Sequence, residues 1–228
     1  MGSVVALQPS LFDPAQPVIR SLASGGPTGT GQHRRTPGPA PAEESRIDLG
    51  RGAWLSLVRS WVLGADRLFE ALLETVPWQA ARRPMYERVV EVPRLLAFYG
   101  PADPLPHPSL AAARAILNAR FRPVLGEPLR TVGLCLYRDG RDSVAWHGDT
   151  LGRGSTEDTI VAIVSLGATR RFLLRPRGGG PARRLELAGG DLLVMGGSCQ
   201  RTFEHAVPKT SRPVGPRISV QFRPIGVG

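Results

Sequence analysis

The sequence predicts an α+β protein in which helices come first and an antiparallel sandwich or jelly roll follows. Three observations carry this. Apolar residues recur at helical spacing only in the first part of the chain, the period falls to two from Leu129 onward, and the strands so marked are separated by turn signals rather than helices. A tail of different composition precedes both.

Residues 1 to about 45 are rich in Pro, Gly, Ser and Thr. Such a stretch buries too little apolar surface to offset its ordering entropy, so a disordered tail is expected there and the folded domain over 46–228. Trp54, Leu55, Leu57, Val58, Trp61, Val62 and Leu63 suggest an ordered entry. Ala65 to Val76 places Leu68, Phe69, Leu72, Leu73 and Val76 on one helical face before Pro77 stops it, and Ser109 to Arg122 does the same with Leu110, Ala113, Ile116, Leu117 and Phe121. Both read as helices packed on the outside of a sheet. Between them, Met85 to Tyr99 is strand-like and then dissolves into a proline-rich loop. Strands follow at Thr131 to Tyr137, Ser143 to Asp149, Thr159 to Leu166, Arg171 to Pro176, Arg184 to Ala188, Asp191 to Met195, His205 to Val207 and Arg217 to Arg223, with turns at Asp139-Gly140, Gly167, Gly178 to Gly180, Gly189-Gly190 and Gly196-Gly197.

Within the second of these strands His147 and Asp149 form an H-x-D, and alternation puts the imidazole and the carboxylate on one face. The chain has four histidines. His33 and His107 lie in loop-like surroundings, which leaves His205 as a third ligand. Two histidines and a carboxylate with the remaining positions open is the arrangement of a non-haem Fe(II) oxygenase. The last strand, R-I-S-V-Q-F-R, sets Arg217, Ser219, Gln221 and Arg223 against Ile218, Val220 and Phe222. Either the polar face meets solvent, or the apolar face packs under the helices and the arginines point into the barrel, where burial demands an anionic partner such as a dicarboxylate. With the H-x-D upstream, the inward reading is preferred. Tyr137 alternates on one face with Cys135, Gly133 and Thr131, and its phenol can donate to the same carboxylate.

Composition narrows the partners. The formal charge is +10, and Lys209 is the only lysine. Mutational bias accounts for arginine over lysine but not for the excess over acids, so a polyanion, nucleic acid foremost, is expected. Arg170, Arg171, Arg175, Arg177, Arg183 and Arg184 crowd one hairpin. A solvated basic hairpin needs no function; beside a catalytic mouth Arg175, Arg177 and Arg183 are candidate phosphate contacts. No run of about 18 apolar residues and no signal-like N-terminus is present, so the protein is expected in the cytoplasm, off the membrane and as a monomer. Cys135 and Cys199 are expected to be reduced thiols.

Tyr137 with R-D-G, His147-Gly148-Asp149, S-L-G-A at Ser165 to Ala168, G-D-L-L-V-M-G-G at Gly190 to Gly197, His205, and Arg217 with Arg223 resemble, in order and spacing, the AlkB family of Fe(II)/2-oxoglutarate dioxygenases, and the bacterial AlkB-like DNA repair branch in particular. The resemblance covers roughly Tyr86 to Pro224. It implies a double-stranded β-helix, Fe(II) on His147, Asp149 and His205, and 2-oxoglutarate held by Arg217, Tyr137 and Ser219 at one carboxylate and by Arg223 at the end beside the metal. It also implies O2 as oxidant and oxidative demethylation of alkylated DNA, or RNA, at bases such as 1-methyladenine and 3-methylcytosine. Cys135 stands where the family usually has an asparagine, and Leu151 where some relatives have an acid that reads the base. No aromatic-rich lid is recognisable; Tyr86, Tyr99 and Trp146 are its candidate substitutes. A protein or small-molecule hydroxylase of the same superfamily is the alternative, disfavoured by charge, and a non-catalytic nucleic-acid-binding module is a third, disfavoured by the complete ligand set. In the tail, Gln8, Leu11 and Phe12 resemble the Q-x-x-L-F peptide with which bacterial repair proteins dock on the sliding clamp.

Overall fold

The computed structural model describes residues 16–22, 40–85 and 88–228. The clamp-like Gln8, Leu11 and Phe12, and Tyr86, lie outside them. The strands are β1 (Val18–Ile19), β2 (Glu44–Gly50), β3 (Ala53–Val58), β4 (Val62–Leu63), β5 (Gln79–Met85), β6 (Arg88–Tyr99), β7 (Thr131–Tyr137), β8 (Val144–His147), β9 (Thr159–Gly167), β10 (Arg170–Pro176), β11 (Arg183–Leu187), β12 (Leu192–Gly197), β13 (Phe203–Val207) and β14 (Arg217–Arg223). The helices are α1 (Ala65–Thr75), α2 (Pro108–Leu125) and the short α3 (Cys199–Thr202).

An eight-stranded sheet in the order β2-β3-β12-β9-β14-β7-β6-β5 faces a four-stranded sheet in the order β11-β10-β13-β8. This is the α+β, double-stranded β-helix architecture that the sequence led us to expect. The central strands of the large sheet are buried on both faces. Helix residues Leu68, Leu72, Leu110, Leu117 and Phe121 pack with Leu134, Val164, Ile218, Val220 and Phe222 on its outer side, while Ile163, Leu193 and Met195 pack against Phe172 and Leu174 of the small sheet on the inner side. Central strand β9 is therefore buried at every residue from Thr159 to Leu166, and shows no polar alternation.

Helix α2 begins where proline is tolerated, with Pro108 in its first turn and His107 Nδ1 accepting from the Ser109 N–H at 3.1 Å, and it stops at Gly126 in a left-handed conformation, φ 80. It runs three residues beyond the expected end, with Pro123 in its last turn and the Gly126 N–H donating to the Arg122 carbonyl at 2.8 Å.

Several expectations are corrected. The ordered entry before α1 is strand: Gly50, Arg51 and Gly52 all have positive φ and close β2 on β3 as a hairpin that extends the large sheet. Order also reaches into the span assigned to the tail, since β1 pairs with β4, Leu22 bridges Ala42, and β2 starts at Glu44. The strand carrying the H-x-D ends at His147, so Asp149 is not its neighbour by strand alternation. The region from 129 onward also contains α3, a helix too short to leave a periodic signal.

Candidate active site

Strands β8 and β13 pair so that His147 and His205 are directly opposite, their ring centres 4.2 Å apart. Asp149 joins them from the loop after β8. That loop depends on Gly148: a Cβ there would lie 2.6 Å from the Gln200 carbonyl oxygen and 2.7 Å from an Arg177 nitrogen. The Asp149 N–H donates to Gln200 Oε1 at 3.0 Å, so buried α3 fixes the loop that alternation cannot. Among the described residues these three form the one group of His, Cys, Asp or Glu side chains able to hold a metal, with ligand atoms within 4.8 Å of one another.

Their protonation suits ligation. Burial, and then the neighbouring His147, push the His205 imidazole down to about 3, which keeps it neutral. Burial alone would raise the Asp149 carboxyl, but Arg223 and the histidines hold it below its ordinary value. Arg223 Nε donates to Asp149 Oδ2 at 3.0 Å, and His147 Nδ1 lies 2.8 Å from the Ala145 carbonyl oxygen, leaving Nε2 for a metal.

Behind the triad is a cavity. Tyr137, His147, His205, Arg217, Ser219 and Arg223 all line it, and so do Cys135, at the position where the family usually has an asparagine, Gln221 from the polar face of the last strand, and Arg94, which the sequence reading missed. The register explains the grouping, because β14 lies against β7 with Arg217 opposite Tyr137, Ser219 opposite Cys135, Gln221 opposite Gly133 and Arg223 opposite Thr131. Arg217 is almost wholly buried at 1% exposure. Its Nε donates to Ser165 Oγ at 2.9 Å, its guanidinium carbon stands 5.3 Å from the Tyr137 ring centre, and its Nη1 is buried with no hydrogen-bond partner. A buried cationic donor left open into a cavity fits a carboxylate. Burial pushes the Tyr137 phenol up to about 12, so it remains a donor beside that position.

Gln221 Nε2 donates to Ser219 Oγ at 2.6 Å and to the Ser219 carbonyl at 3.0 Å, which turns Oε1 toward Cys135 Sγ, 3.8 Å away. Alternation on β14 marked Gln221 as inward-facing but said nothing of its chemistry. Ser165 entered the sequence reading only as the start of the S-L-G-A stretch and Gln200 not at all, since each acts through a contact made across strands or loops far apart in sequence.

The basic hairpin divides. Arg170 is buried and donates to the carbonyls of Asp139, Asp142 and Pro208. Arg175 binds Glu204 at 3.1 Å with its guanidinium 4.1 Å from the centre of the Trp146 ring. Arg177 donates to the carbonyls of Arg201 and Gln200, and Arg183 is exposed. Tyr99 packs against the helix-side core.

The His-Asp-His triad beside an open cationic cavity, on this fold, defines a non-haem iron oxygenase. The chain belongs to the 2OG-Fe(II) oxygenase superfamily, which it matches over residues 99–223. Within it the chain falls among AlkB homologues. It is 32% identical over 180 residues to the alpha-ketoglutarate-dependent dioxygenase alkB homolog 3 of Bos taurus, covering 71% of this chain and 62% of that protein, and 28% identical over 240 residues to the DNA oxidative demethylase ALKBH2 of Mus musculus, covering 92% and 95%. The chain thus spans less than two thirds of the alkB homolog 3 relative. A solved structure titled OsALKBH1 superposes with TM-score 0.51 at 17% identity, over 78% of this chain and 99% of that one, and shares the fold. Fe(II) and 2-oxoglutarate are the cofactors of the superfamily, and both fit: the triad supplies the metal donors and Arg217 the open carboxylate partner.

Proposed function

We propose that this protein removes N-linked methyl or other small alkyl groups from nucleic-acid bases, as a member of the bacterial AlkB-like repair branch. The observation that carries the reading is that His147 and His205 of the triad border the same cavity as Arg217, whose buried Nη1 has no hydrogen-bond partner. Relatives named as DNA oxidative demethylases support it.

A second feature favours a nucleic-acid substrate over a small neutral one. A groove of about 420 Å³ beside β10 and β11 is bordered by Arg171, Arg184, Lys209 and Arg212, with Glu186 as its one acid. Glu186 stands 4.0 Å from Arg171. The other three cations make no ion pair among the described residues and suit phosphate.

Fe(II) and 2-oxoglutarate, when bound, supply the oxidation: one oxygen atom of O2 leaves in succinate with release of CO2, and the other is inserted into a C–H bond of the alkyl group. The chain's own residues orient and enclose. Arg217, with Ser165 behind it and Tyr137 beside it, would anchor one carboxylate of the co-substrate. Arg223, bonded to Asp149, would meet its other end. Apolar Ile163, Phe172 and Val207 line the cavity and exclude water. The hydroxylated alkyl carbon then parts from the ring nitrogen as an aldehyde, and the nitrogen recovers its electron pair.

The test is formaldehyde release from a single-stranded oligonucleotide carrying 3-methylcytosine or 1-methyladenine, with Fe(II), 2-oxoglutarate and O2 each omitted in turn. Release that needs all three supports the reading. Turnover of 2-oxoglutarate that no alkylated DNA or RNA stimulates sinks it.

A further inference from the structure

Of the residues considered from sequence as stacking partners for a base, the two among the described residues do not stand as free rings at the cavity: Tyr99 packs against the helix-side core and Trp146 is covered by Arg175. One aromatic does lie open on the cavity side. Phe98 is 68% exposed, while the central strands of its sheet are buried. Its register fixes its face. In the β6–β7 pair Leu96 is opposite Cys135 and Phe98 opposite Gly133, and directly opposed residues share a face of the sheet. Cys135 and Tyr137 line the cavity, so Phe98 stands on the cavity face at the same level as Gly133.

That level is next to an arginine that holds the triad carboxylate. Gly133 has no side chain, and the space a Cβ would take is bordered by Arg223 Nη1 at 3.0 Å and Gln221 Oε1 at 3.1 Å. The Arg223 guanidinium that fills this notch is the one bonded to Asp149. Phe98 is therefore one strand away from the arginine that touches a metal ligand. Two further exposed apolar side chains follow the same pair in sequence: Leu151, 70% exposed, comes two residues after Asp149, and Ile225, 50% exposed, two residues after Arg223. Large apolar side chains left in water around a reaction centre mark where a ligand with apolar faces is received.

We propose that Phe98 is the platform on which the substrate's base stacks at the cavity entrance. The inference rests on the demethylase reading and makes it more specific. A planar base offers a π face to the phenyl ring and a polar edge to the cationic, metal-bearing side of the cavity, whereas an aliphatic side chain of a protein substrate would gain as much from leucine as from phenylalanine. Because the platform is open, a base already unpaired in a single strand can reach it without the cost of leaving a duplex.

The experiment is steady-state demethylation of a 3-methylcytosine pentanucleotide by the full chain and by Phe98→Ala, Phe98→Leu and Phe98→Tyr, with KM measured for oligonucleotide and for 2-oxoglutarate. Loss of the ring should raise the oligonucleotide KM roughly five- to a hundred-fold in the Ala and Leu variants, while Tyr stays within about twofold of the parent. The 2-oxoglutarate KM should not follow. An unchanged oligonucleotide KM in the Ala variant, a Leu variant equal to the parent, or a parallel rise in the 2-oxoglutarate KM overturns the assignment of Phe98 while leaving the demethylase reading in place. Should Phe98→Ala fail to fold, the Leu and Tyr pair carries the same comparison. A parent protein that turns over no alkylated base sinks the demethylase reading, and this inference with it.

Discussion

Arg223 donates from Nε to Oδ2 of Asp149 across 3.0 Å, tying the last strand of the large sheet to the carboxylate of the metal triad. Both side chains are largely buried, at 17% and 5% exposure, so the bond is poorly screened and fixes which carboxylate oxygen is left for the metal. Arg223→Gln should therefore weaken metal binding by about 10- to 100-fold, as loss of an outer partner of a ligand does. Titration with Co(II), followed by its visible absorption, measures this. An affinity equal to the parent's would show that Asp149 is oriented by Gln200 alone.

Gly133 gives an independent handle on the same contact. Its backbone has no positive φ, so alanine meets no conformational strain, and in a strand it would by itself gain about 0.4–1 kcal/mol. Yet a Cβ would press on Arg223 Nη1 at 3.0 Å and Gln221 Oε1 at 3.1 Å. Gly133→Ala is expected to keep a melting temperature within a few degrees of the parent while lowering Co(II) affinity several-fold. If affinity holds, the arginine has room to move without releasing Asp149.

Arg217 should show opposite effects in the absence and presence of co-substrate. Its Nη1 is buried and unpartnered, and burial lowers the guanidinium pKa, so in the free protein the group is a liability to the fold. Arg217→Met is expected to raise the melting temperature of the free protein and to abolish the further rise that 2-oxoglutarate gives the parent. The lost pairing corresponds to roughly 2–5 kcal/mol, a rise in co-substrate KM of about 30-fold or more. Retained stabilisation by 2-oxoglutarate would mean that another group holds the carboxylate. Because a lysine cannot reproduce the fork, Arg217→Lys should recover only part of the affinity.

What the sequence shows and hides about this site follows from the range of each interaction. Period-two alternation on R-I-S-V-Q-F-R separates the helix-packed Ile218, Val220 and Phe222 from the cavity-facing Arg217, Ser219, Gln221 and Arg223 because each strand sets its own faces. The same rule does not apply at Asp149, which lies beyond the end of β8 and is held through the Gln200 side chain. Ser165 meets Arg217 across the strand pairing of β9 with β14, and Phe98 meets the metal end through β7; both are register facts, and register is not written in either strand alone. The entry strands β2 and β3 escaped recognition for a different reason. Buried on both faces, β3 is nearly continuous in apolar residues from Ala53 to Val58 and has no alternation to read.

The basic surface separates into cations already engaged and cations still open, and the two classes should respond differently. Arg175 is bound to Glu204 and packed on Trp146, and Arg177 is tied to the carbonyls of α3 beside the Gly148 turn, so replacing either removes support for the small sheet. Arg184, Lys209 and Arg212 border the groove of about 420 Å³ without ion pairs among the described residues. Each phosphate neutralised by such a cation contributes about 0.7 to the slope of log affinity against log salt for a single strand. Replacing Arg184, Lys209 and Arg212 together with glutamine should thus flatten the salt dependence of binding to an unmodified 20-nucleotide strand by up to about two units of slope, equally for all sequences. The melting temperature should be little changed, since exposed unpaired cations add little to stability. For Arg175→Gln the pattern should reverse, with a lower melting temperature and a nearly unaltered slope. A triple variant that keeps the parent's slope would place the phosphate contacts elsewhere, with exposed Arg183 at the hairpin turn as the next residue to replace.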